Sequence, residues 1–165
     1  MSWFSEYKSS LKNLHAEEFL DVYLYRPFAF IIVKSLYRLP LTPNNYSFMS
    51  LSSGLLAAYC FSQAQFMYGA IFFFFLSVFD CCDGMQARMK KNGTEFGRFV
   101  DGIVDYVANI ACYVGLVIGV NQAIPYIGSV PTWTLVVAAG FSKAIHAIMY
   151  DHYLMEYMSY DKGDG

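Results

Sequence analysis

Charged residues are scarce in this sequence, and two long segments have none at all. Asp, Glu, Lys and Arg make up 15% of the 165 residues, and none of them occurs in 39–79 or in 106–142. Each of these segments is long enough for one or two membrane spans of about 20 residues. A soluble domain of this size could not bury so much apolar surface. The scarcity of charge therefore excludes an ordinary soluble domain and predicts a polytopic membrane protein.

Basic clusters and metal-type cysteine spacings are also missing from the sequence. The formal net charge is −2 and there is no long basic run, which excludes nucleic acid as a partner. The four cysteines form no CxxC pair and no zinc spacing. Cys81 and Cys82 lie between two acids, so a mixed metal site is an alternative, but at helical spacing both side chains turn away from the acids. We interpret the cysteines as small apolar residues of membrane helices.

Between the two uncharged segments lies a polar one, residues 80–105. If its first part is helical, a single arc of about 140° holds Asp80, Asp83, Gly84, Ala87 and Arg88. In the second part, Gly97, Asp101 and Asp105 are spaced i, i+4, i+8 and so share one face of a helix. Two carboxylates from each helix can therefore converge on one point.

Carboxylates gathered in this way require a compensating charge. Unpaired, they would repel one another and lose their solvation on burial. Buried salt bridges between helices are an alternative, but bases are few at membrane depth in this sequence. Ligand sets made only of oxygen favour Mg²⁺ or Mn²⁺ over zinc. The four acids therefore predict a site for two divalent cations that can grip a diphosphate, and Arg88 offers a planar pair of donors to phosphate.

The spacing of these residues carries a resemblance to a known family. The pattern D-x2-D-G-x2-A-R-x8-G-x3-D-x3-D is met at every fixed position within 80–105. It resembles the signature of the CDP-alcohol phosphotransferases (CDP-alcohol phosphatidyltransferases), which are membrane enzymes of phospholipid synthesis. Eight fixed residues at fixed spacing are far more specific than a lone glycine motif. The sequence Thr42-Pro43-Asn44 also resembles the family.

The resemblance implies a transferase in which an alcohol attacks the phosphate of a CDP-linked donor, commonly CDP-diacylglycerol, and CMP leaves. It implies that Asp80, Asp83 and Asp101 bind metal. Asp105 would lie near the metals and also act as the general base. The nucleotide side of the site would be formed by Asn44, Gly84, Ala87, Arg88 and Gly97. Helix capping by Asn44 or Thr42 is an equally good interpretation of that segment, and close helix packing is an alternative for the small residues.

The order of apolar and polar segments predicts an all-α membrane helix bundle. The predicted spans are 46–61, 66–89, 96–120 and 132–153, with an uncharged loop over 121–131. The membrane domain covers 46–155 and is followed by a polar tail, 156–165. We expect the preceding segment, 1–45, to be juxtamembrane, with a helix of mixed faces over 9–25. A second, amphipathic helix carrying Arg26, Lys34 and Arg38 would lie in the headgroup region, and a short span over 23–39 is its alternative.

The basic residues predict the orientation of the chain. In the four-span scheme one side of the membrane receives Lys8, Lys12, Arg26, Lys34, Arg38, Lys90, Lys91 and Lys162. By the positive-inside rule this side, which also holds the acids, is cytoplasmic, in a cell inner membrane or its equivalent. Members of the family usually have six membrane helices. We therefore expect either a fragment or a shortened form that a partner or a homodimer completes.

The acceptor alcohol is the least constrained part of the prediction. Lys143 is a lone cation in the fourth span and Arg98 follows Gly97, so either can meet a phosphate on the acceptor. A snorkelling Lys and a headgroup-anchoring Arg are the alternatives. These cations would suit a phosphorylated polyol such as glycerol phosphate or inositol phosphate, and serine or choline-type small alcohols stay open.

Three other functions remain as alternatives. A non-enzymatic cation-binding membrane protein would explain the acids but not the Asp-Gly-x-x-Ala-Arg order. A prenyl-diphosphate enzyme would call for acid-rich motifs of the DDxxD kind, which Asp80-Cys-Cys-Asp83 is not. A catalytically inactive or truncated relative, acting as a partner subunit, is compatible with the small number of predicted spans.

Overall fold

The computed structural model describes residue 7 and residues 21–127 and 129–161, and the regular elements within these ranges are all helical. A π-helical turn, Asp21–Tyr25, comes first, and residues 9–20 of the predicted helix over 9–25 lie outside the described residues. The described ranges then hold α1 (Arg26–Ser35), α2 (Pro43–Ser62), α3 (Phe66–Lys90), α4 (Glu95–Ala123) and α5 (Ser129–Asp161). A 3₁₀ turn, Pro125–Ile127, separates the last two. The predicted all-α class is confirmed.

Helix α1 is too short to cross a membrane. Together with the π-helical turn that leads directly into it, it gives 15 residues of continuous helix, at most about 22 Å at 1.5 Å per residue, whereas a hydrocarbon core is about 30 Å thick. The helix ends at Ser35, and residues 36–42, which include Pro40 and precede Pro43, are not helical. A proline disfavours helical backbone in the residue before it. Of the alternative span over 23–39, only residues 23–35 are helical, and this segment is not among the described segments long and apolar enough to cross a membrane. The buried face of α1, Ala29, Phe30 and Val33, packs in one cluster with α3 residues Val78, Cys82 and Met85.

Helix α2 is the centre of the bundle. It packs against both α3 and α4, whereas α3 and α4 contact each other little. Contacts between paired residues show that α3 runs antiparallel to α2 and that α4 runs parallel to it. Most of the buried face of α2 consists of small side chains: Ser47, Ser50, Ser53, Gly54, Ala57 and Cys60. Such residues allow membrane helices to approach closely.

Two glycines of α4 make its contact with α2 possible. A Cβ atom on Gly115 would collide with the backbone carbonyl of Ala58, and one on Gly119 would collide with that of Phe61. The two glycines are four residues apart, so they lie on the same face of the helix. The backbones of α2 and α4 therefore touch directly along this edge, in the manner of small-xxx-small contacts in membranes.

Three segments of the described chain are long and apolar enough to cross a membrane: Phe66–Lys90, Glu95–Ala123 and Pro131–Tyr150. They correspond to the second, third and fourth predicted spans. Helix α2 stands where the first span was predicted and its 20 residues are long enough, but it is not among the three. The serines on its buried face lower its hydropathy, since this face packs against protein rather than lipid.

Large apolar side chains cover the outside of the bundle. Phe48 of α2, Ile110 of α4 and Leu135 of α5 are each at least 60% exposed, and many others are exposed to a smaller degree. Exposed apolar surface on this scale is rare on soluble monomers. The surface therefore matches an integral membrane protein whose outer faces contact lipid.

Two helices continue well beyond their predicted ends. Helix α4 continues to Ala123, because Asn121 and Gln122 do not break a helix and the next proline is Pro125. The connection predicted over 121–131 is correspondingly shorter. Helix α5 continues to Asp161 and so includes residues 156–161 of the predicted polar tail, while residue 128 and residues 162–165 lie outside the described chain.

Candidate metal and nucleotide site

The four acids predicted to bind metal come from the two helices that pack on α2. Asp80 and Asp83 lie one turn apart on α3, and Asp101 and Asp105 lie one turn apart on α4. Carboxylate oxygens of Asp80, Asp83 and Asp101, one from each residue, all lie within 4.8 Å of one another. Asp105 is outside this group of three, but its side chain lies close to that of Asp80. The structure thus brings three acids to a common point and places the fourth on its flank.

These carboxylates are withdrawn from solvent to different degrees. Asp83 is 5% exposed, and the other three are half-buried. Negative charges at this separation repel one another strongly where the effective dielectric constant is low. A divalent cation would remove this repulsion, and a ligand set made of carboxylate oxygens suits a hard cation such as Mg²⁺ or Mn²⁺. The donor atoms present therefore fit a divalent cation.

A cavity of about 330 Å³ opens beside the three acids. Its walls come from the start of α2, the last turns of α3, the connection 91–94 and the first turns of α4. The predicted site residues that line it are Asn44, Asp83, Gly84, Ala87, Gly97, Arg98 and Asp101. Within the described chain, the lining leaves out Asp80, Arg88, Asp105 and Lys143. The volume lies in the range of small-molecule pockets, so Asp83 and Asp101 face a space that can hold a ligand.

Two of the three glycines that line the cavity, Gly84 and Gly97, differ in what surrounds them. In the described chain a Cβ atom on Gly84 would meet only the guanidinium of Arg88, at 3.6 and 3.8 Å, which is ordinary contact. A Cβ atom on Gly97 would lie 3.0 Å from Oγ1 of Thr94 and 3.2 Å from Oδ1 of Asn44, which is tight. Packing within the protein therefore explains Gly97 in part, but it does not explain Gly84.

Asn44 lies in the first turn of α2 and does not cap it. The N-cap is Thr42, whose side chain makes no capping hydrogen bond within the described chain, and Pro43 occupies the first helical turn. Helix α4, by contrast, is capped by Thr94, whose hydroxyl accepts a hydrogen bond from the backbone N–H of Gly97 at 2.9 Å. Capping by Asn44 is therefore wrong, Thr42 holds the N-cap position without a capping hydrogen bond in the described chain, and the side chain of Asn44 lines the cavity.

Of the two predicted phosphate-binding arginines, Arg98 lines the cavity and Arg88 lies beside Gly84 of its wall. The guanidinium of Arg88 lies over Gly84, one turn earlier on α3. Arg98 is exposed and lines the cavity itself. Either guanidinium can form paired hydrogen bonds with a phosphate.

Lys143 contacts α4 through a residue that the sequence did not single out. Its Nζ atom donates to Oδ1 of Asn109 at 3.1 Å, and Nδ2 of Asn109 donates to the backbone carbonyl of Asp105 at 2.8 Å. The ammonium group therefore lies on the side of the acids that Asp105 occupies. Neither the acceptor interpretation nor the snorkelling one predicted this contact.

Two polar residues that contact the predicted site residues, Ser47 and Asn109, were not predicted from the sequence. The hydroxyl of Ser47 donates to Oδ2 of Asp83 at 2.8 Å, and the two residues are 36 positions apart in the chain. No spacing rule connects them. Asn109, however, extends by one turn the i, i+4 series that ends at Asp105, and that extension would have identified it.

Comparison with a family of known proteins covers the whole of this site. The family model described as CDP-alcohol phosphatidyltransferase matches residues 40–157. This range contains α2, α3, α4 and most of α5, and with them each of the predicted site residues.

Curated relatives match a shorter part of the chain. A phosphatidylinositol phosphate synthase of Mycobacteroides abscessus is 30% identical over 87 residues, which is 52% of this chain and 40% of that protein. The phosphatidylinositol phosphate synthase of Mycobacterium tuberculosis is 30% identical over 86 residues, with the same coverage of both chains. That of Mycobacterium marinum is 29% identical over 86 residues, 52% of this chain and 37% of the relative. The chain thus spans about 40% of the length of the relatives it matches.

Proposed function

Because the chain belongs to the CDP-alcohol phosphatidyltransferase family, we propose that it transfers a phosphatidyl or related phospho-alcohol group from a CDP-linked lipid to an alcohol. The donor is CDP-diacylglycerol or a similar lipid, and CMP is released. The observation that carries this proposal is the group formed by Asp80, Asp83 and Asp101 beside a cavity of about 330 Å³. A cytidine diphosphate needs both features, since its phosphates require cations and its nucleoside requires space.

The acids supply the binding site for the cations. Asp80, Asp83 and Asp101 would hold a divalent cation, Mg²⁺ or Mn²⁺, and Asp105 would complete a site for two. Bound there, such cations neutralise the diphosphate and stabilise the charge that develops on the transferred phosphate. The contact between Asp105 and Asp80 supports the assignment of all four acids to one site.

The transfer itself needs a single displacement. The acceptor hydroxyl attacks the phosphatidyl phosphorus, a new phosphorus–oxygen bond forms, and the bond from phosphorus to the CMP oxygen breaks. Asp105 takes the hydroxyl proton as general base. Its place on the flank of the three-acid group supports this role, because it lies beside the acids that would hold the first cation without being one of them. No covalent intermediate with the protein is required, since the acceptor attacks directly.

The cavity accounts for recognition of the nucleotide. Gly84, Ala87 and Gly97 leave room for a ligand to approach the helix backbones, and Asn44 adds an amide to the same wall. Arg88, whose guanidinium lies beside Gly84 of the cavity wall, would bind a phosphate of the donor. The absence of a packing reason for Gly84 in the described chain supports a ligand at this wall.

We further propose a phosphorylated polyol as the acceptor. The relatives named above are phosphatidylinositol phosphate synthases. Lys143 lies on the same side of the acids as Asp105, and Arg98 lines the cavity. Basic side chains are therefore present at two edges of the site. A phosphate on the acceptor would hold its hydroxyl near the general base.

The site would face the cytoplasm. Lys90 and Lys91 follow the acids of α3 at the same end of the bundle, and such basic residues are retained on the cytoplasmic side. The connections at the other end, 63–65 and 124–127, carry no charge. The homodimer stays a prediction of the sequence.

Release of CMP from CDP-diacylglycerol tests the proposal. The purified full chain in lipid nanodiscs would be supplied with Mg²⁺ and a panel of alcohols, and we expect release with a phosphorylated polyol. Asp101→Asn should abolish release, whereas Glu95→Gln, which removes an exposed carboxylate from the first turn of the same helix, should leave it intact. Release that survives Asp101→Asn would contradict the site. No release with any alcohol would favour an inactive relative that acts as a partner subunit.

A further inference from the structure

The two helices that carry the acids have little contact with each other. Helices α3 and α4 each pack on α2, so the spacing between Asp83 on α3 and Asp101 on α4 is determined through α2. A cation site shared by these two helices therefore depends on what α2 presents between them.

Ser47 is a buried side chain of α2 that reaches both acids. It is 3% exposed. Its Oγ atom donates to Oδ2 of Asp83 at 2.8 Å and lies 3.4 Å from Oδ1 of Asp101. The backbone carbonyl of Pro43, the usual competing acceptor for a helical serine, lies farther away at 3.5 Å. Because a hydroxyl has one proton to donate, the shorter distance and the charged acceptor both favour Asp83.

We propose that Ser47 is a positioning residue for the cation site. By donating to one carboxylate oxygen of Asp83 it fixes the orientation of that side chain and leaves the other oxygen to bind a cation. Its nearness to Asp101 links the acids of α3 and α4 through α2. The inference rests on the proposed function, since that function supplies the cation. Outer partners of metal-binding side chains typically change metal affinity by about 10- to 100-fold.

A purely structural role for Ser47 would be shared by its neighbour Ser50. Ser50 lies one turn later on the same buried face of α2, and it is 1% exposed. Its hydroxyl donates to the backbone carbonyl of Leu76 at 3.1 Å and not to an acid. Both serines therefore lose one buried hydrogen bond on substitution by alanine, but only the substitution at Ser47 removes a partner of a cation ligand. Ser50 is thus the matched control.

Binding of Mn²⁺ alone, followed by electron paramagnetic resonance on the full chain in nanodiscs without lipid substrate, tests this inference. We expect Ser47→Ala to raise the Mn²⁺ dissociation constant by about 10- to 100-fold. Ser50→Ala should bind Mn²⁺ like the wild type, and Ser47→Thr, which retains the hydroxyl, should recover most of the affinity. The melting temperature of each variant without metal establishes that it is folded. If Ser47→Ala does not fold, Ser47→Cys replaces it, and its weaker donor should give a smaller rise.

The outcomes separate this inference from the proposed function. Wild-type affinity in folded Ser47→Ala, or equal losses in Ser47→Ala and Ser50→Ala, would overturn the positioning role and leave the cation site in place. A wild-type protein that binds no Mn²⁺ would overturn the cation site and the inference together. Weaker Mn²⁺ binding by Ser47→Ala in a protein that releases no CMP would support the positioning role and refute the transferase activity.

Discussion

The substitution Gly84→Ala separates a ligand at the cavity wall from packing within the protein. Gly84 lies inside α3 and lines the cavity next to Asp83. A methyl group at this position would meet, among the described residues, only the guanidinium of Arg88 at 3.6 and 3.8 Å. That group is the end of a flexible side chain, so the protein can accept the methyl group without strain.

The expected effects on stability and on binding have opposite signs. Alanine in place of glycine inside a helix stabilises it by about 0.5–1 kcal/mol, so the melting temperature should stay the same or rise. If a nucleotide lies against the helix at Gly84, the added methyl group should cost binding about 1–3 kcal/mol, as overpacking does elsewhere. This corresponds to a loss of affinity of about 5- to 150-fold.

The assay measures CDP-diacylglycerol affinity and melting temperature on the same nanodisc samples in Mg²⁺. Gly140→Ala on α5 is the control, since a Cβ atom there meets nothing within 4 Å in the described chain and Gly140 does not line the cavity. It should show the change in melting temperature without the change in affinity. Unchanged affinity in Gly84→Ala would refute a nucleotide at this wall, and a clear fall in melting temperature would mean that the glycine is needed for packing.

Four further predictions follow from the same contacts. Asp105→Asn should bind CDP-diacylglycerol normally but lose turnover by about 10²- to 10⁴-fold, because the amide cannot accept the proton; near-normal turnover would place the base elsewhere. Lys143→Met should raise the KM for a phosphorylated acceptor by about 10- to 100-fold, since a charge-assisted hydrogen bond is lost. The same substitution should leave donor binding intact. An unchanged acceptor KM would favour the snorkelling interpretation. Gly119→Ala should destabilise the protein by about 1–3 kcal/mol, because the added methyl group collides with the facing backbone of α2. Thermal unfolding in nanodiscs should then give a lower melting temperature, and an unchanged melting temperature would contradict the close helix contact. Cysteines introduced at Lys91 and Gln63, in a background without the native ones, should be labelled from the cytoplasmic and the opposite side respectively, and labelling of both from one side would refute the topology.

The grouping of the acids within each helix could be predicted from the sequence alone. Asp80 and Asp83 are three residues apart and Asp101 and Asp105 are four apart, and both separations place side chains on a common helix face. The predicted spans over 66–89 and 96–120 coincide with α3 and α4 for a related reason, since each is a long apolar segment bounded by turn residues. Properties that depend on one helix at a time could thus be predicted from the sequence.

The packing of one helix against another could not be predicted from the sequence in the same way. The sequence predicts a span over 46–61, within the observed helix Pro43–Ser62, but does not reveal that this helix lies between α3 and α4. That position follows from how its small residues fit both partners. The role of Ser47 depends on this arrangement. The contact of Lys143 with Asn109 likewise joins two helices whose order in the bundle is not written in any local pattern.

The most direct measurement is CMP release from CDP-diacylglycerol while a divalent cation is titrated into chelator-treated protein. The grouping of Asp80, Asp83 and Asp101 within 4.8 Å predicts no release in chelator and a saturable return on addition of Mg²⁺ or Mn²⁺. Asp83→Ala should release no CMP at any cation concentration. Full release in the presence of chelator, or release by Asp83→Ala equal to that of the wild type, would contradict a cation-dependent transfer at this site.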